Sequence, residues 1–373
     1  MKKILHIGQI IGGLDVYIRN VIEYSSSDFE FIVVHGKKDN SKPILKNSKL
    51  INEYQINLYR NLNPYYDLIC IIQAIKIVLK EKPNVIHCHS AKGGVVGRIV
   101  GFITNTKTFY TPHAFSFLAT ENKLKRKFYI VIERLLKFNS FLLACSESEK
   151  VLGITKIKYR QSHALVWQNS VPDATNVEIN SNFGENDDFL CYIGRPSFQK
   201  NTFFLIDVVQ KVVEKNQKFK LYLLGVGYHS PDLKILEDLI RKYHLTNNII
   251  LVEWLPQEET FLYIKKSLFY ISVSRYEGLP LSILEAMSLG KPIIASKVSG
   301  NVDCVKNEFN GYLLPLDVQL FSEKITELWH DREKREDFSI NSRLKYLNEF
   351  QIEKQIKFLE HIYLDSNNNT PQN

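Results

Sequence analysis

Short apolar runs recur along the chain, each broken by glycine or a polar turn and followed by a segment with apolar residues at helical spacing. In the first half they fall at residues 2–7, 29–35, 83–89, 108–113 and 141–145, and in the second at 189–193, 220–224, 249–254 and 268–273. Runs this short and continuous fit strands covered on both faces by helices, which is how parallel sheets are buried. Helices are predicted from about Val16 to Tyr24, Tyr66 to Lys80, Leu233 to Tyr243, from between Glu277 and Glu285 to a stop at Gly290-Lys291-Pro292, and over Gln351–Leu364. Strand and helix alternate through both halves, so the pattern predicts an α/β protein with two doubly wound parallel sheets. Asp173 to Asp188 is polar and Asn-rich and reads as a linker before a new strand at Phe189. The expected division is therefore 1–175 and 176–350, with a helix at 351–365 crossing back to the first domain and a disordered tail at 366–373.

Composition narrows this picture. A chain of 373 residues exceeds one typical core, and 45% hydrophobic with 24% charged residues is globular. No apolar run approaches the ~20 residues that span a bilayer. Met1–Ile7 begins like a signal peptide, but Gly8, Gly12 and Gly13 interrupt it and no small-residue cleavage site follows, so it reads as a first strand. The five cysteines lack any Cys-x-x-Cys spacing, which argues against a zinc site or disulfide framework and for a reducing, cytoplasmic setting. A net charge of +8 calls for an anionic partner: nucleic acid, lipid headgroups or phosphorylated substrates. No nucleic-acid-binding motif accompanies it.

The chemistry concentrates in Ser274–Met287. Glu277 lies in a predicted strand-to-helix loop and Glu285 in the first turn of the helix, at the carboxyl end of a strand where α/β sheets bind ligands and helix starts attract anions. A second reading takes Ser282-Ile-Leu-Glu285 as a capping box. Upstream, Gly194-Arg195-Pro-Ser-Phe-Gln-Lys200 places a planar fork and a point charge just before a helix, a pairing that can neutralise a diphosphate without metal. Gly12-Gly13 before the first helix serves either a phosphate or a plain tight turn. His87 and His89 alternate on one strand without a third ligand in view, and Lys92-Gly93-Gly94 reads as an anion cradle. His113 ends a strand as either a ligand contact or a surface histidine. Residues 121–138 interleave Lys123, Lys125, Arg126 and Lys127 with large apolar residues, as a lipid-facing helix or as a core helix with a basic end. Trp254 follows another strand, where a role in the core is one reading.

Gly194-Arg195-x4-Lys200, then Glu277-x7-Glu285 with Tyr276-Glu-Gly-Leu-Pro-Leu281 and Glu285-Ala-Met287, resembles the retaining GT4-type glycosyltransferases of the GT-B fold. The segments at 165–172, 292–296 and 310–315 extend the resemblance over nearly the whole chain, and residues 87–138 are similar to capsule, exopolysaccharide and O-antigen members. The resemblance implies two Rossmann-like domains facing a central cleft. It implies Arg195 and Lys200 on the donor diphosphate, helped by backbone at Gly278, Leu279, Leu281 and Ser282, with Gly12 and Gly13 near the diphosphate or acceptor. Glu285 would hold the ribose, Trp254 the base, and Glu277 and His113 the donor sugar. It further implies a nucleotide-sugar donor, with UDP expected, and a glycan or polyprenyl-diphosphate-linked acceptor. The setting would be cytoplasmic, peripheral at the inner face of the plasma membrane on anionic lipid. No Asp-x-Asp is present, so neither a cofactor nor a metal is expected. A UDP-sugar epimerase of the same fold and a basic nucleic-acid-binding protein are the rival readings.

Overall fold

In the computed structural model, which describes residues 1–37, 42–59, 63–177, 188–227, 230 and 232–365, the apolar runs become parallel strands of two sheets. Lys38, the middle of the expected linker (178–187), Tyr228-His229 and the tail 366–373 lie outside the described residues. Two compact units result, one of Met1–Ser170 with Ile352–Asn373 and one of Val171–Gln351.

Unit 1 is built from β1 (Lys2–Ile7), α1 (Gly13–Tyr24), β2 (Phe29–Gly36), the short antiparallel pair β3 (Leu45–Lys46) and β4 (Lys49–Leu50), and β5 (Asn52–Ile56). It continues through α2 (Pro64–Glu81), β6 (Val85–His89), α3 (Ser90–Thr104), β7 (Lys107–Thr111), α4 (Lys123–Leu135), β8 (Phe141–Ala144), α5 (Glu147–Leu152) and β9 (Ala164–Val166). The sheet order among the described residues is β5-β2-β1-β6-β7-β8-β9. The chain runs outward from β1 to one edge and then crosses to β6 on β1's other side, so the switch point lies between β1 and β6. Their register pairs His6 with His87. Two helices start earlier than the apolar periodicity indicates: α1 at Gly13, and α2 at Pro64, where the Asn63 side chain accepts the N–H groups of Tyr65 and Tyr66.

Gly93, Gly97 and Gly101 form one stripe of α3. A Cβ there would meet Ile7 O at 2.7 Å, Cys88 Cβ at 2.3 Å and Thr108 Oγ1 at 1.9 Å. The stripe lets α3 lie directly on the sheet, and Gly94 is pressed against the Tyr110 ring in the same way. Lys92 is buried with its ammonium 2.5 Å from Asp67 of α2. Residues 92–94 therefore pack helices together, and the anion-cradle expectation is corrected: the cation is committed and the glycines face the sheet.

Unit 2 follows with β10 (Leu190–Ile193), α6 (Thr202–Lys215), β11 (Leu221–Val226), α7 (Leu233–Lys242), β12 (Ile249–Glu253), α8 (Gln257–Lys266) and β13 (Tyr270–Ser272). It ends with α9 (Leu281–Ser288), β14 (Ile293–Ser296), α10 (Asn301–Cys304), β15 (Gly311–Leu314), α11 (Val318–His330) and α12 (Arg332–Glu349). The order β12-β11-β10-β13-β14-β15 is again parallel, with its switch point between β10 and β13. The division falls at 170/171 rather than 175 because the segment before the linker is held by unit 2. Val171 N–H donates to Phe350 O at 3.0 Å, and Arg343 of α12 pairs with Asp173 at 2.5 Å. Sequence periodicity gave little sign of α12, whose inward face is only Phe338, Ser342 and Tyr346. The last helix, α13 (Ile352–Leu364), belongs to unit 1, where Trp167 Nε1–H donates to Gln355 O at 3.0 Å.

The basic helix α4 carries apolar residues on two sides, with Tyr129 and Ile130 packed partly buried against the unit 1 core. Leu124, Phe128, Val131 and Leu135, on one stripe, are exposed, while the one buried residue is Glu133. Its carboxylate lies 2.9 Å from the guanidinium of Arg98, a charge contact rather than an aligned hydrogen bond, and accepts the Tyr110 hydroxyl at 3.0 Å. Arg98 stacks over the Tyr110 ring at 4.0 Å. The reading of α4 as a core helix therefore fits Tyr129 and Ile130 but not the exposed stripe. Breaking a buried pair strands the remaining charge, so Glu133→Ala is expected to cost about 3–5 kcal/mol in urea unfolding, with the Arg98→Met/Glu133→Leu double variant less destabilised than either single change.

Candidate active site

At the switch point of unit 2, the loops leaving β10 and β13 deliver one cation and one carboxylate to the same spot. Lys200 Nζ lies 2.7 Å from Glu277 Oε1. The same oxygen accepts the Ser274 hydroxyl at 2.7 Å, and Gln199 Nε2 donates to the other oxygen at 3.1 Å. Glu277 is almost fully buried, and its backbone N–H donates to Ser299 O at 3.2 Å. That approach depends on Gly300, at φ +83°, where a Cβ would lie 2.7 Å from Gly278 O and 2.9 Å from Glu277 Cβ. Behind the loop, Ser296 Oγ donates to Ser274 O at 2.6 Å, and Asn301 Nδ2 donates to Ser296 O at 3.0 Å. Arg195 sits on the same loop as Lys200, half-buried.

The helix that follows is α9. Its N-cap is Pro280, and the leading N–H groups, including those of Leu281 and Ser282, lack a capping side chain, an arrangement that attracts anions, four residues after Glu277 in the chain. Gly278 and Leu279 are buried in the turn that leads into it. The capping-box reading is corrected here. Ser282 lies inside the helix, with its hydroxyl bonded to Tyr270, and Glu285 does not reach back to the helix start. Glu285 occupies the second turn rather than the first; it is buried and accepts Gln257 Nε2 at 2.8 Å. Burial raises its carboxyl from the usual range to about 7. Trp254 stands three residues before Gln257 in the β12–α8 loop and is 73% exposed, which excludes the core alternative.

At the switch point of unit 1, four histidines gather. His6, on β1, brings its Nδ1 within 2.8 Å of His89 Nε2, and His89 Nδ1 lies 3.2 Å from His113 Nε2. His87 lies beside them, its ring centroid 4.1 Å from that of His89. Thr111 gives its hydroxyl proton to Leu143 O at 2.7 Å, so the 2.8 Å contact makes His87 Nε2 the donor to Thr111. His87 Nδ1 then accepts the Tyr363 hydroxyl at 2.7 Å. Nitrogens of His6, His87 and His89 lie within 4.8 Å of one another, so the structure supplies the third ring that the sequence did not offer. Both nitrogens of His87 and of His89 are nonetheless engaged in hydrogen bonds, which a metal would have to break. Burial holds His6 and His113 down to about 3, and His87 and His89 well below the ordinary histidine value, so all four rings are neutral at pH 7.

His113 lies two residues past the end of β7, not at its last position, in left-handed backbone (φ +50°) followed by Ala114 at φ +79°. Glu149 holds this strained turn, accepting Ala114 N–H at 2.7 Å and Cys145 N–H at 2.9 Å. Tyr17 packs edge-on to the His113 ring at 4.8 Å. Gly12 and Gly13 open α1 on the loop after β1 and are exposed, Gly12 at φ +62°.

A parallel α/β unit with a cation–carboxylate pair beside an uncapped helix start is laid out to bind a phosphorylated, hydroxyl-rich ligand. A family model described as Glycosyltransferase Family 4 matches residues 11–174, and one described as Glycosyl transferases group 1 matches 174–345. Between them they span both units, and the chain belongs to the GT4-type glycosyltransferases of the GT-B fold. It is 28% identical over 325 residues to the UDP-Gal:alpha-D-GlcNAc-diphosphoundecaprenol alpha-1,3-galactosyltransferase of Escherichia coli, an alignment covering 83% of this chain and 82% of that one. To the capsular polysaccharide biosynthesis glycosyltransferase CapM of Staphylococcus aureus it is 26% identical over 324 residues, covering 83% of each. In fold it is similar to a sucrose-phosphate synthase from Thermosynechococcus elongatus, with a TM-score of 0.83, 16% identity, and coverage of 97% of this chain and 98% of that one.

Because the folded-state value of Glu285 lies above its unfolded value, the native protein binds the extra proton between about pH 4.5 and 7. This contribution is complete below pH 4.5 and is lost as pH rises through 7, an effect of about 3 kcal/mol. Denaturant melts across this range should show Glu285→Gln lacking that slope and standing more stable than the parent chain at pH 8.

Proposed function

We propose that this glycosyltransferase moves a sugar from a UDP-sugar to a polyprenyl-diphosphate-linked or glycan acceptor in cell-surface polysaccharide synthesis, with retention of anomeric configuration and without a metal. The observation that carries the reading is the Lys200–Glu277 pair beside the uncapped start of α9, with buried Glu285 one helical turn further on. Arg195, Lys200 and the N–H groups of Leu281 and Ser282 take the diphosphate. Glu285 accepts the ribose hydroxyls, and exposed Trp254 stacks on the base. Glu277 holds a hydroxyl of the donor sugar, with His113 as a further contact to it, and Gly12 and Gly13 leave room near the diphosphate or acceptor.

As the bond from the anomeric carbon to the diphosphate oxygen breaks, negative charge grows on the leaving group. Lys200, Arg195 and the helix start stabilise that charge electrostatically. Glu277 is poorly placed to act as a general base, since Lys200, Ser274 and Gln199 already occupy its oxygens. The UDP donor and the lipid-diphosphate acceptor are supported by the activity of the E. coli relative, and the capsule setting by CapM. A panel of nucleotide sugars tested for transfer to a polyprenyl-diphosphate-linked sugar should show turnover with a UDP-sugar, an α-anomeric product by NMR, and undiminished rate in chelator. Turnover only with another base, inversion, or loss of activity restored by magnesium or manganese counts against the corresponding part.

The same acceptor chemistry draws the enzyme to a membrane surface. Leu124, Phe128, Val131 and Leu135 of α4 are exposed, and Phe102 stacks on Phe138 at 4.6 Å beside exposed Ile103. Lys123, Lys125, Arg126 and Lys127 flank the stripe, the combination that settles on anionic headgroups. Among the described residues no helix is long and apolar enough to cross a membrane. We expect the protein to float with vesicles containing anionic lipid, and Leu124→Asp/Phe128→Asp to lose flotation while melting like the parent chain; equal binding to neutral vesicles would oppose this reading.

A further inference from the structure

His6, His89 and His113 form a line of single hydrogen bonds running from the centre of the unit 1 sheet to its carboxyl edge. A neutral imidazole has one N–H and one lone pair, so two senses are possible along such a line. In one, His113 Nε2–H donates to His89, His89 donates to His6, and His6 is left with its proton on Nε2. In the other, His6 Nδ1–H donates to His89 Nε2, His89 Nδ1–H donates to His113 Nε2, and His113 carries its own proton on Nδ1.

The far end of the line decides between them. His6 is fully buried, and among the described residues its Nε2 has no hydrogen-bond partner. Its ring is held between Phe31, stacked at 5.7 Å, and the other histidines, so it cannot turn to find one. An orphaned buried N–H is rarer and costlier than a buried lone pair left alone. The first sense strands a donor there, whereas the second strands only a lone pair. His87 does not disturb the line, because its two nitrogens are satisfied by Thr111 and Tyr363.

We propose that His6 and His89 are positioning residues that fix the tautomer of His113, so that the edge of its ring away from His89 presents an Nδ1–H donor. The turn clamped by Glu149 fixes where the ring stands, and the line behind it fixes which nitrogen holds the proton. A histidine locked this way can only donate at that edge, which suits a sugar hydroxyl acting as acceptor and selects the orientation of the donor sugar. The functional consequence rests on reading His113 as the donor-sugar contact; the tautomer does not.

The test is nitrogen-15 NMR of the histidine rings in the full, ligand-free chain, with His113 assigned by its loss in His113→Gln. The expected result is an Nδ1–H tautomer at both His89 and His113. An Nε2–H at His113, or metal-shifted nitrogens at His6 and His89, overturns the proposal. In His6→Phe, which keeps an aromatic ring beside Phe31, His113 should lose its Nδ1–H preference. Transfer should then fall on the order of tenfold in kcat, about the worth of one hydrogen bond, with the donor KM little changed. An Nδ1–H at His113 with transfer untouched in His6→Phe would uphold the line and defeat the donor-contact reading instead.

Discussion

Lys200 and Glu277 meet at 2.7 Å because β10 and β13 are neighbours in the sheet, although the chain builds β11 and β12 between them. That detour creates the switch point, and the rest of unit 2 serves it. Gly300 lets a neighbouring loop pass against Glu277, and Ser274 and Gln199 take two further positions on its carboxylate, leaving one on Oε2. Pro280 starts α9 without a side-chain cap. A mostly buried carboxylate bearing a lysine and two neutral donors is held in one rotamer. The lysine is held with it by the same contact.

Unit 1 solves a different problem with the same topology. Its switch point is lined by neutral rings rather than charges, because burial removes the proton from all four histidines. Orientation there comes from hydrogen bonds passed between rings and from the Glu149 carboxylate on the backbone of Ala114. Unit 2 thus gathers a cation and a carboxylate at its switch point, and unit 1 gathers four uncharged rings at its own. Beyond the switch point, α4 is tied down through Glu133 to Arg98. Its apolar stripe is left outward.

Much of this was legible in the chain itself. Alternating apolar runs imply the two parallel sheets, and the spacings Arg195-x4-Lys200 and Glu277-x7-Glu285 mark the principal site. What could not be read depends on register and packing sense. His6 sits in an ordinary apolar strand, and only its pairing with His87 across β1 and β6 brings it to His89. Gln199, Ser274, Gln257 and Glu149 are common polar residues whose importance lies in the few atoms each one touches. Ser282 and Glu285 have the spacing of a capping box, but Pro280 shifts the helix start and removes that role. For α4, periodicity revealed a stripe but not its direction, which the buried Glu133–Arg98 pair decides.

The central claim is that the Lys200–Glu277 pair is the diphosphate end of the donor site. Calorimetry of UDP binding to the parent chain, Lys200→Ala and Glu277→Gln tests it most directly. Loss of a charged hydrogen-bond donor predicts affinity weakened roughly 10- to 100-fold in Lys200→Ala. Glu277→Gln, which frees the lysine, should bind UDP at least as tightly as the parent while transferring sugar poorly. Unchanged UDP affinity in a folded Lys200→Ala protein would contradict the account.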